Sequence, residues 1–495
     1  MHRIRLDPKI SVSVVFVAAM FMSIMDSTIV NVALPSIARQ LNVPSSSIDA
    51  VVVAYLVSLA VVMPTTGWLG DRWGTKRIML LALTLFTISS ALCGLASSYG
   101  MLVIFRVLQG AAGGALTPVG TAMLYRTFPP SERVQVSRIL MFATILAPAL
   151  GPIIGGLLVT QLSWRWVFYV NVPVGMLACL FGFIFLHEHK EKAPGRFDIM
   201  GFLLAGSGLA LLMYALSEGP SSGWSSINIF GSAILGAILL TGFVLVELKV
   251  SEPMIDLRLL RNRLFRSTNL VSLFSYAGFL GTLFIAPLYL QEARGVSALT
   301  SGLTTFPEAI GVVLSTQLVA RLYPRVGPRR LMAGGLAGVS ILMAMLTLMG
   351  PDTNLWVMRA LMFLIGAGMA YAFLPLRAAA FATISSSSTG RASAFYSAQT
   401  QLGAALGVAI LGSVLSIFGT TTLTASGAVE PNLTAYHAAF LAASVLALIA
   451  ASIALTVSDE DAAVTMRRKS RKIEPEKSPE VVVDPDAAFS GEASS

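Results

Sequence analysis

Fourteen apolar runs, each of about twenty residues, follow one another along this chain and constrain its fold more than any other feature. Because a bilayer offers no water to the peptide groups, runs of this length cross it as helices, whose backbone hydrogen bonds are all internal. The sequence therefore predicts an all-α integral membrane protein with fourteen transmembrane helices. The predicted spans are 10–33, 48–69, 78–97, 101–124, 138–160, 166–186, 198–217, 227–247, 268–290, 299–320, 331–350, 355–377, 394–418 and 436–457.

The composition supports this class of protein. Hydrophobic residues make up 55% of the chain and charged residues only 12%, whereas soluble domains carry about 25% charged residues. A net charge of +9 could indicate a nucleic-acid partner. However, the basic residues form short clusters between apolar runs, as orientation in a membrane requires, so we expect no nucleic-acid binding. The two cysteines, Cys93 and Cys179, lie within apolar runs and indicate neither a disulfide nor a metal site.

The distribution of lysine and arginine predicts the orientation. If both termini are cytoplasmic, the outward loops hold only Arg39, Arg165 and Arg294 of the 34 basic residues. Arg106 and Arg359 lie within apolar runs, and all the others fall on the cytoplasmic side. Such a bias is typical of membrane proteins. We therefore expect a multi-pass protein of the cell membrane, surrounded by the lipid bilayer, with both termini inside.

An internal repeat predicts the domain organisation. The loop RWGTKRI at 72–78 is repeated as RVGPRRL at 325–331, so helices 1–6 resemble helices 9–14 and two helices are inserted between them. Two parallel six-helix halves around a central site are an architecture of alternating-access carriers. The predicted parts are a cytoplasmic N-terminus (1–9), an N-terminal half (10–190), two inserted helices (191–250), a C-terminal half (251–457) and a disordered cytoplasmic tail (458–495).

Several motifs, in order and on the predicted helices, are shared with one family. They are Met25–Pro35 in helix 1, Gly67–Arg77 after helix 2, Arg106–Gly114 in helix 4, Ala147–Gly156 in helix 5, Trp164–Phe168, and Asn171–Pro173. With these motifs the chain resembles the major facilitator superfamily, in particular its fourteen-helix drug:proton antiporter branch. The resemblance covers residues 10–457 and implies the major facilitator fold.

The resemblance also implies a function. A member of this branch would export amphipathic, often cationic small molecules in exchange for protons, as a monomer, with the proton gradient as energy source and no cofactor. Two alternatives stay open: a narrow-specificity exporter of one metabolite, antibiotic or lipid, and a membrane receptor or structural protein without transport. The loop between helices 13 and 14 is short, so we expect no dependence on an adaptor protein. Pro324 stands where the first copy of the repeated loop has Asp71, so only that copy keeps its acid.

Charged residues inside the membrane are functional candidates because they cost several kcal/mol unless they are paired or hydrated. Asp26 and Arg106 lie at similar depths in helices 1 and 4, so we expect them to approach each other. Protonation of Asp26 would change the charge balance and bias one conformation, which is what proton coupling requires. The alternative is a fixed ion pair that joins the two helices.

Three further groups of residues could contact substrate or face the membrane surface. Glu308, in helix 10, could attract a cationic substrate or carry a second proton; alternatively it is protonated and hydrogen-bonded to Thr304 or Thr305. Arg359 lies near the outer end of helix 12, where its side chain can extend to the interface. The candidates for substrate binding are Asp26, Glu308 and, among the aromatic side chains, Tyr371 and Tyr396.

Two sets of residues are candidates for gating. Gly70, Asp71, Arg72, Gly74, Lys76 and Arg77 form the loop after helix 2, which we interpret as a latch that stabilises the outward-open state. The alternative is a cluster that only sets topology. The second set, which lets helix 5 bend and pack closely, is Pro148, Gly151, Pro152, Gly155 and Gly156. The sequence contains no phosphate-binding loop, metal-ligand cluster or activated nucleophile, so we expect neither ATP dependence nor an enzyme.

Overall fold

The computed structural model describes residues 6–42, 48, 50–190, 197–250, 253, 255–385, 388–423 and 429–466. The helices of the first half are α1 Pro8–Gln40, α2 Ala50–Val62, α3 Thr66–Trp73, α4 Thr75–Leu95, α5 Tyr99–Thr127, α6 Arg133–Gln161, α7 Trp166–Tyr169 and α8 Asn171–Phe185. Two further helices follow, α9 Ile199–Ser222 and α10 Ile227–Glu247. The second half contains α11 Arg263–Leu288, α12 Ala298–Thr305, α13 Pro307–Val326, α14 Pro328–Met345, α15 Leu355–Ala380, α16 Thr389–Phe418, α17 Leu433–Ala454 and α18 Ala463–Met466.

The helices confirm the predicted membrane fold. In the described part of the chain, 13 helical segments are long and apolar enough to cross a membrane. They coincide with every predicted span except the fifth, where the backbone forms α6 but many side chains lie outside the described residues. Large apolar side chains lie on the outside of the bundle, for example Phe183, which is 70% exposed. With spans of this length, such a surface is expected to face lipid.

Prolines divide two of the predicted spans. Pro64 lies in a short 3-10 turn, Met63–Thr65, between α2 and α3. Pro307 is the first residue of α13 and separates it from α12. Proline lacks the N–H that would continue the preceding helix, which contributes to these two breaks, whereas Pro118 and Pro287 lie inside continuous helices. As a consequence, Glu308 lies in the first turn of a new helix.

The helices form two packed groups with an inserted pair between them. Helices α1–α8 pack on one another, and so do α11–α17. Helix α9 contacts α2 of the first group and α16 of the second, whereas α10 packs on α9. A small antiparallel hairpin, which the sequence did not predict, joins α16 to α17 through strands β1 (Thr421–Leu423) and β2 (Val429–Pro431). We call the end of the bundle at which α1 begins and α17 ends the inner end.

The repeated loop adopts the same conformation in both halves. Gly74 and Gly327, which precede α4 and α14, have φ of 98° and 84°, a region that favours glycine. Glu188 accepts hydrogen bonds of 2.9 and 3.2 Å from two N–H groups in the first turn of α4. Asp459 accepts one of 2.9 Å from the first turn of α14. A carboxylate after the last helix of each half thus stabilises the positive end of an earlier helix.

The start of the C-terminal tail corrects one prediction. We expected disorder from residue 458, but 458–466 are ordered against the second half. Besides Asp459, this segment contributes Thr465, which is 2% exposed and 2.8 Å from the hydroxyl of Tyr323 in α13. Composition alone could not show these contacts, because aspartate and threonine are polar residues that are common in solvated tails. Residues 467–495 lie outside the described part.

Candidate functional site

Asp26 of α1 and Arg106 of α5 form an ion pair in the interior of the first half. Both side chains are 0% exposed, and Nη1 of Arg106 donates to Oδ2 of Asp26. Nε of Arg106 donates to the carbonyl oxygen of Val51 at 3.1 Å. The guanidinium also lies over the ring of Tyr55, 4.1 Å from its centroid. The approach that the helix depths predicted is therefore present, with an aromatic wall beside it.

Two amides complete the surroundings of the carboxylate. Gln109 of α5 and Asn171 of α8 each donate to Oδ1 of Asp26 at 2.9 Å. The amide oxygen of Gln109 accepts from Arg106 at 2.9 Å, so it binds both members of the pair. Sequence reasoning gave these amides no role. Gln109 could have been found because it follows Arg106 by three residues on one helix face; the approach of α8 depends on tertiary packing.

This arrangement gives the Asp26 carboxylate a defined electrostatic partner. Four side chains from three helices share one negative and one positive charge in a region closed to solvent. Burial of either charge alone costs several kcal/mol. Protonation of the carboxylate would remove the negative charge and leave the Arg106 guanidinium without its counter-ion, so the arrangement would have to change.

Helix α6 packs against α1 beside this site. A Cβ atom at Gly151 would lie 2.2 Å from the hydroxyl oxygen of Thr28, and one at Gly155 would lie 2.9 Å from Ile29. Both positions therefore need glycine for the close approach of the two helices. Gly156 has nothing within 4 Å of such a Cβ and does not contribute to this contact. The side chains of Pro148 and Pro152 lie outside the described residues.

Glu308 is the second buried acid of the candidate set. It is 2% exposed, and neither carboxylate oxygen has a hydrogen-bond partner among the described residues. The expected bond to Thr304 or Thr305 is absent from the described contacts, because both hydroxyls donate to carbonyl groups of their own helix. A Cβ at Gly366 would lie 2.0 Å from the Glu308 carbonyl oxygen, so α13 and α15 touch at this point.

Arg359 and Tyr371 lie away from these two acids. Arg359 is half-buried and stacks on Trp356, 4.6 Å from the ring centroid, near the end of α15 opposite the inner end. Tyr371 packs against α14 at Gly335, where an added Cβ would lie 2.5 Å from the tyrosine Cβ. Tyr371 thus packs within the second half, whereas Tyr396 lines the cavity described below.

The loop after the second predicted span reaches the other half at the inner end. Asp71 forms an ion pair of 2.8 Å with Arg126 of α5, and both side chains are less than 10% exposed. A Cβ at Gly390 of α16 would lie 3.2 Å from Oδ1 of Asp71, and one at Gly67 would lie 3.1 Å from the Gly390 backbone. We call these four residues the inner gate. It joins the two halves where α3, α5 and α16 meet.

The other candidates of this loop support the loop itself. Gly70 packs against Thr75, and Arg72 is exposed. Lys76 donates to the Phe183 carbonyl oxygen at 2.8 Å, and Arg77 lies 3.7 Å from Glu188. These contacts stay within the first half. Only Asp71 among the charged residues of the loop reaches the interface between the halves.

A small cavity lies at the same interface. Tyr125 of α5 stacks on Phe381 with ring centroids 4.3 Å apart, and its hydroxyl donates to the Arg377 carbonyl oxygen at 2.9 Å. The cavity beside them has a volume of about 30 Å³ and is also lined by Tyr396. Arg377 is the last residue of the predicted span 355–377 and was counted among the charges of the cytoplasmic side; it lies in the last turn of α15 and is only 8% exposed.

Comparison with known proteins agrees with this architecture. The family model described as Major Facilitator Superfamily matches residues 16–408 and 268–485. The multidrug resistance protein B homolog of Mycobacterium tuberculosis is 31% identical over 409 residues, which are 81% of this chain and 75% of that protein. Multidrug resistance protein 3 of Bacillus subtilis is 34% identical over 400 residues, 79% of this chain and 77% of that protein.

A solved structure shares the fold at low sequence identity. The human organic anion transporter MFSD10 (TETRAN) superposes with a TM-score of 0.66 and 18% identity, and covers 91% of this chain and 100% of that one. This likeness concerns the fold alone. With its family match, its relatives and its many membrane-spanning helices, this chain is a multi-pass membrane protein that belongs to the major facilitator superfamily.

Proposed function

We propose that this protein exports amphipathic small molecules in exchange for protons by alternating access. The observation that carries the proposal is the fully buried Asp26–Arg106 pair with its two amide partners. Buried charges are expensive, and a merely structural contact between helices could use apolar residues of similar size at no loss of stability. A carboxylate that gains and loses a proton during transport gives the charges a reason to be there.

Protonation would act through Arg106. Once Asp26 is neutral, the guanidinium keeps the Val51 carbonyl, the Gln109 oxygen and the Tyr55 ring, but it has no negative partner. The protein then gains by moving α1 relative to α5, so that water or another group can solvate the cation. A proton thereby biases one arrangement of these helices over another.

The movement would reach the second half through α6. This helix contacts α1 at Gly151 and Gly155, within one or two turns of Asp26. It also packs against α13 and α15 of the second half. Glu308, in the first turn of α13, is a further group whose protonation could respond to this movement. Gating by the inner gate follows, because the contacts of Gly390 with Asp71 and Gly67 cross between the halves and must separate before the inner end can open.

The relatives support the class of substrate. Both sequence relatives described above are named multidrug resistance proteins, which favours an exporter of several compounds over an exporter of one metabolite. We further propose that the chain works as a single subunit in the cell membrane, with its inner end facing the cytoplasm. In this orientation the closed inner gate corresponds to a state that does not open to the cytoplasm.

Reconstituted protein tests the proposal. Proteoliposomes with an imposed pH gradient are given tetramethylrhodamine methyl ester, a cationic amphipathic dye, and then a panel of unrelated amphipathic compounds. We expect gradient-driven dye movement by the native chain, and loss of at least about tenfold of it in Asp26→Asn, since the variant cannot cycle a proton.

The matched control is Asp352→Asn, which removes an exposed carboxylate from the segment before α15. It should transport at the native rate. Native-rate, gradient-dependent exchange by Asp26→Asn would show that the coupling group lies elsewhere. A native protein that moves only one compound of the panel would favour the narrow-specificity exporter, and no movement of any compound would favour a non-transporting protein.

A further inference from the structure

The cavity between the halves has an unusual lining for a bundle of apolar helices. Six hydroxyl side chains face it, three from the first half and three from the second: Thr117, Thr121, Tyr125, Tyr396, Ser397 and Thr400. Arg377 and Phe381 complete the wall. Among the described residues that line it, none is acidic. The cavity therefore combines hydroxyl groups, of which Tyr125 and Thr400 already donate to backbone carbonyl oxygens, with one positive charge.

Arg377 has donor capacity to spare. The side chain is 8% exposed, and Nη2 donates to the hydroxyl oxygen of Tyr276 at 2.7 Å. Its Nε has no hydrogen-bond partner among the described residues, and no described carboxylate lies within ion-pair distance. This differs from Arg106, whose charge Asp26 already balances. A buried cation without a counter-ion is costly and favours any anion that can reach it.

The buried acids of the described residues leave little to attract a cation into this cavity. Asp26 and Asp71 are engaged in ion pairs within the first half. Glu247 lies at the end of α10 and Glu308 at the start of α13, whereas the cavity is formed by α5, α15 and α16. A cationic group placed beside Arg377 would meet a like charge in a region of low polarity, which is unfavourable. A carboxylate or sulfonate would instead accept hydrogen bonds from the guanidinium and from the surrounding hydroxyls.

The geometry points to a subsite for the acidic group of an anionic amphipathic substrate at Arg377. This inference rests on the proposed function and narrows its substrate class, which the sequence had predicted to be often cationic. In this structure, with the inner gate closed, the cavity of about 30 Å³ holds one or two water molecules at most. Separation of the two walls gives space for the rest of a ligand. A ligand bound there touches both halves and so affects the balance between their arrangements.

Two dyes of the same ring class but opposite charge test the inference. Fluorescein is anionic, and tetramethylrhodamine methyl ester is cationic. Binding of each dye to the purified full-length protein is measured without a gradient, and transport is measured in proteoliposomes with one. We expect Arg377→Gln to weaken fluorescein binding about tenfold to a hundredfold, as for loss of a charge-assisted hydrogen bond, while binding of the rhodamine ester is unchanged or tighter.

Two variants guard against a failure of Arg377→Gln to fold. Arg377→Lys keeps the charge and should retain part of the fluorescein binding. Thr121→Asp places a carboxylate on the opposite wall and should lower fluorescein binding without any change to Arg377. The matched control, Arg359→Gln, removes the half-buried arginine at the other end of α15 and should leave the preference between the dyes unchanged.

The outcomes separate the inference from the function it rests on. Equal loss of binding of both dyes in Arg377→Gln would show a role in closing the inner end and would overturn the subsite. A native protein that transports the rhodamine ester but does not bind fluorescein would also overturn the subsite. Arg377-dependent fluorescein binding without gradient-driven transport of either dye would support the subsite and refute the proton-coupled exporter. If neither dye binds or moves, both proposals fail.

Discussion

The stability of the Asp26–Arg106 pair can be measured by a double-mutant cycle. Asp26→Asn keeps the shape of the side chain but leaves the Arg106 guanidinium buried with only neutral partners, the Val51 carbonyl and the Gln109 amide oxygen. The side chains of Asp26 and Arg106 are both 0% exposed, so solvent does not reduce the effect of removing the negative charge. Breaking such a pair costs about 3–5 kcal/mol of the free energy of unfolding.

Removal of both charges should restore most of that loss. Replacement of a whole buried pair by neutral groups is often close to neutral, so we expect Asp26→Asn with Arg106→Gln to lie within about 1–2 kcal/mol of the native protein. Arg106→Gln alone should also be destabilising, because Asp26 then keeps its hydrogen bonds from Gln109 and Asn171 but has no positive partner. The coupling energy of the cycle would then be large and favourable to the pair.

Unfolding by sodium dodecyl sulfate in mixed micelles, followed by tryptophan fluorescence, measures these free energies. A partly exposed pair in the same half, Lys9 and Glu132, serves as the control; its side chains are 35% and 16% exposed. Its cycle should give a coupling energy below about 1 kcal/mol. A double variant that is less stable than either single variant, with costs that simply add, would refute the reasoning about buried charges.

Two further variants test the gate and the second acid. Asp71→Asn should weaken the inner gate, so that a cysteine probe placed at the inner end is labelled faster while dye affinity is kept. The control Arg72→Gln changes an exposed residue of the same loop and should leave labelling at the native rate. Unchanged labelling in Asp71→Asn would contradict a gating role. Glu308→Gln should leave the thermal unfolding midpoint within a few degrees of the native value, because neither carboxylate oxygen has a partner among the described residues to lose. A large decrease of this midpoint would instead point to an ion pair that forms at Glu308.

The proline breaks show how directly some structure follows from local chemistry. Pro307 cannot donate a backbone hydrogen bond, and α12 ends before it, which places Glu308 in the first turn of α13. The positive φ of Gly74 and Gly327 likewise follows from a repeated loop that only glycine accommodates at low cost. Such features depend on a few neighbouring residues and need no knowledge of the remaining fold.

The contacts of two residues could not be predicted from their neighbours in the sequence. Asn171 and Arg377 are, in sequence, an amide near one end of an apolar run and a basic residue near the end of another. The motif Asn171–Pro173 marks the family but does not show which group the Asn171 amide contacts, and the neighbours of Arg377 do not distinguish it from a charge that sets topology. Their roles arise because α8 approaches α1, and because α15 faces α5 across the interface between the halves.

The sequence by itself determined the membrane class, the spans, the repeat and the meeting of Asp26 with Arg106. The repeat follows from the similarity of two loop sequences. The membrane class, the spans and the Asp26–Arg106 contact follow from the cost of placing polar groups in hydrocarbon, which depends on the type of each residue. Only the tertiary structure decided which polar groups share the buried pair, where the cavity lies, and that residues 458–466 pack on the bundle. The physical reason is that lipid is as apolar as a leucine side chain, so hydropathy does not distinguish a helix face that packs on protein from one that faces lipid.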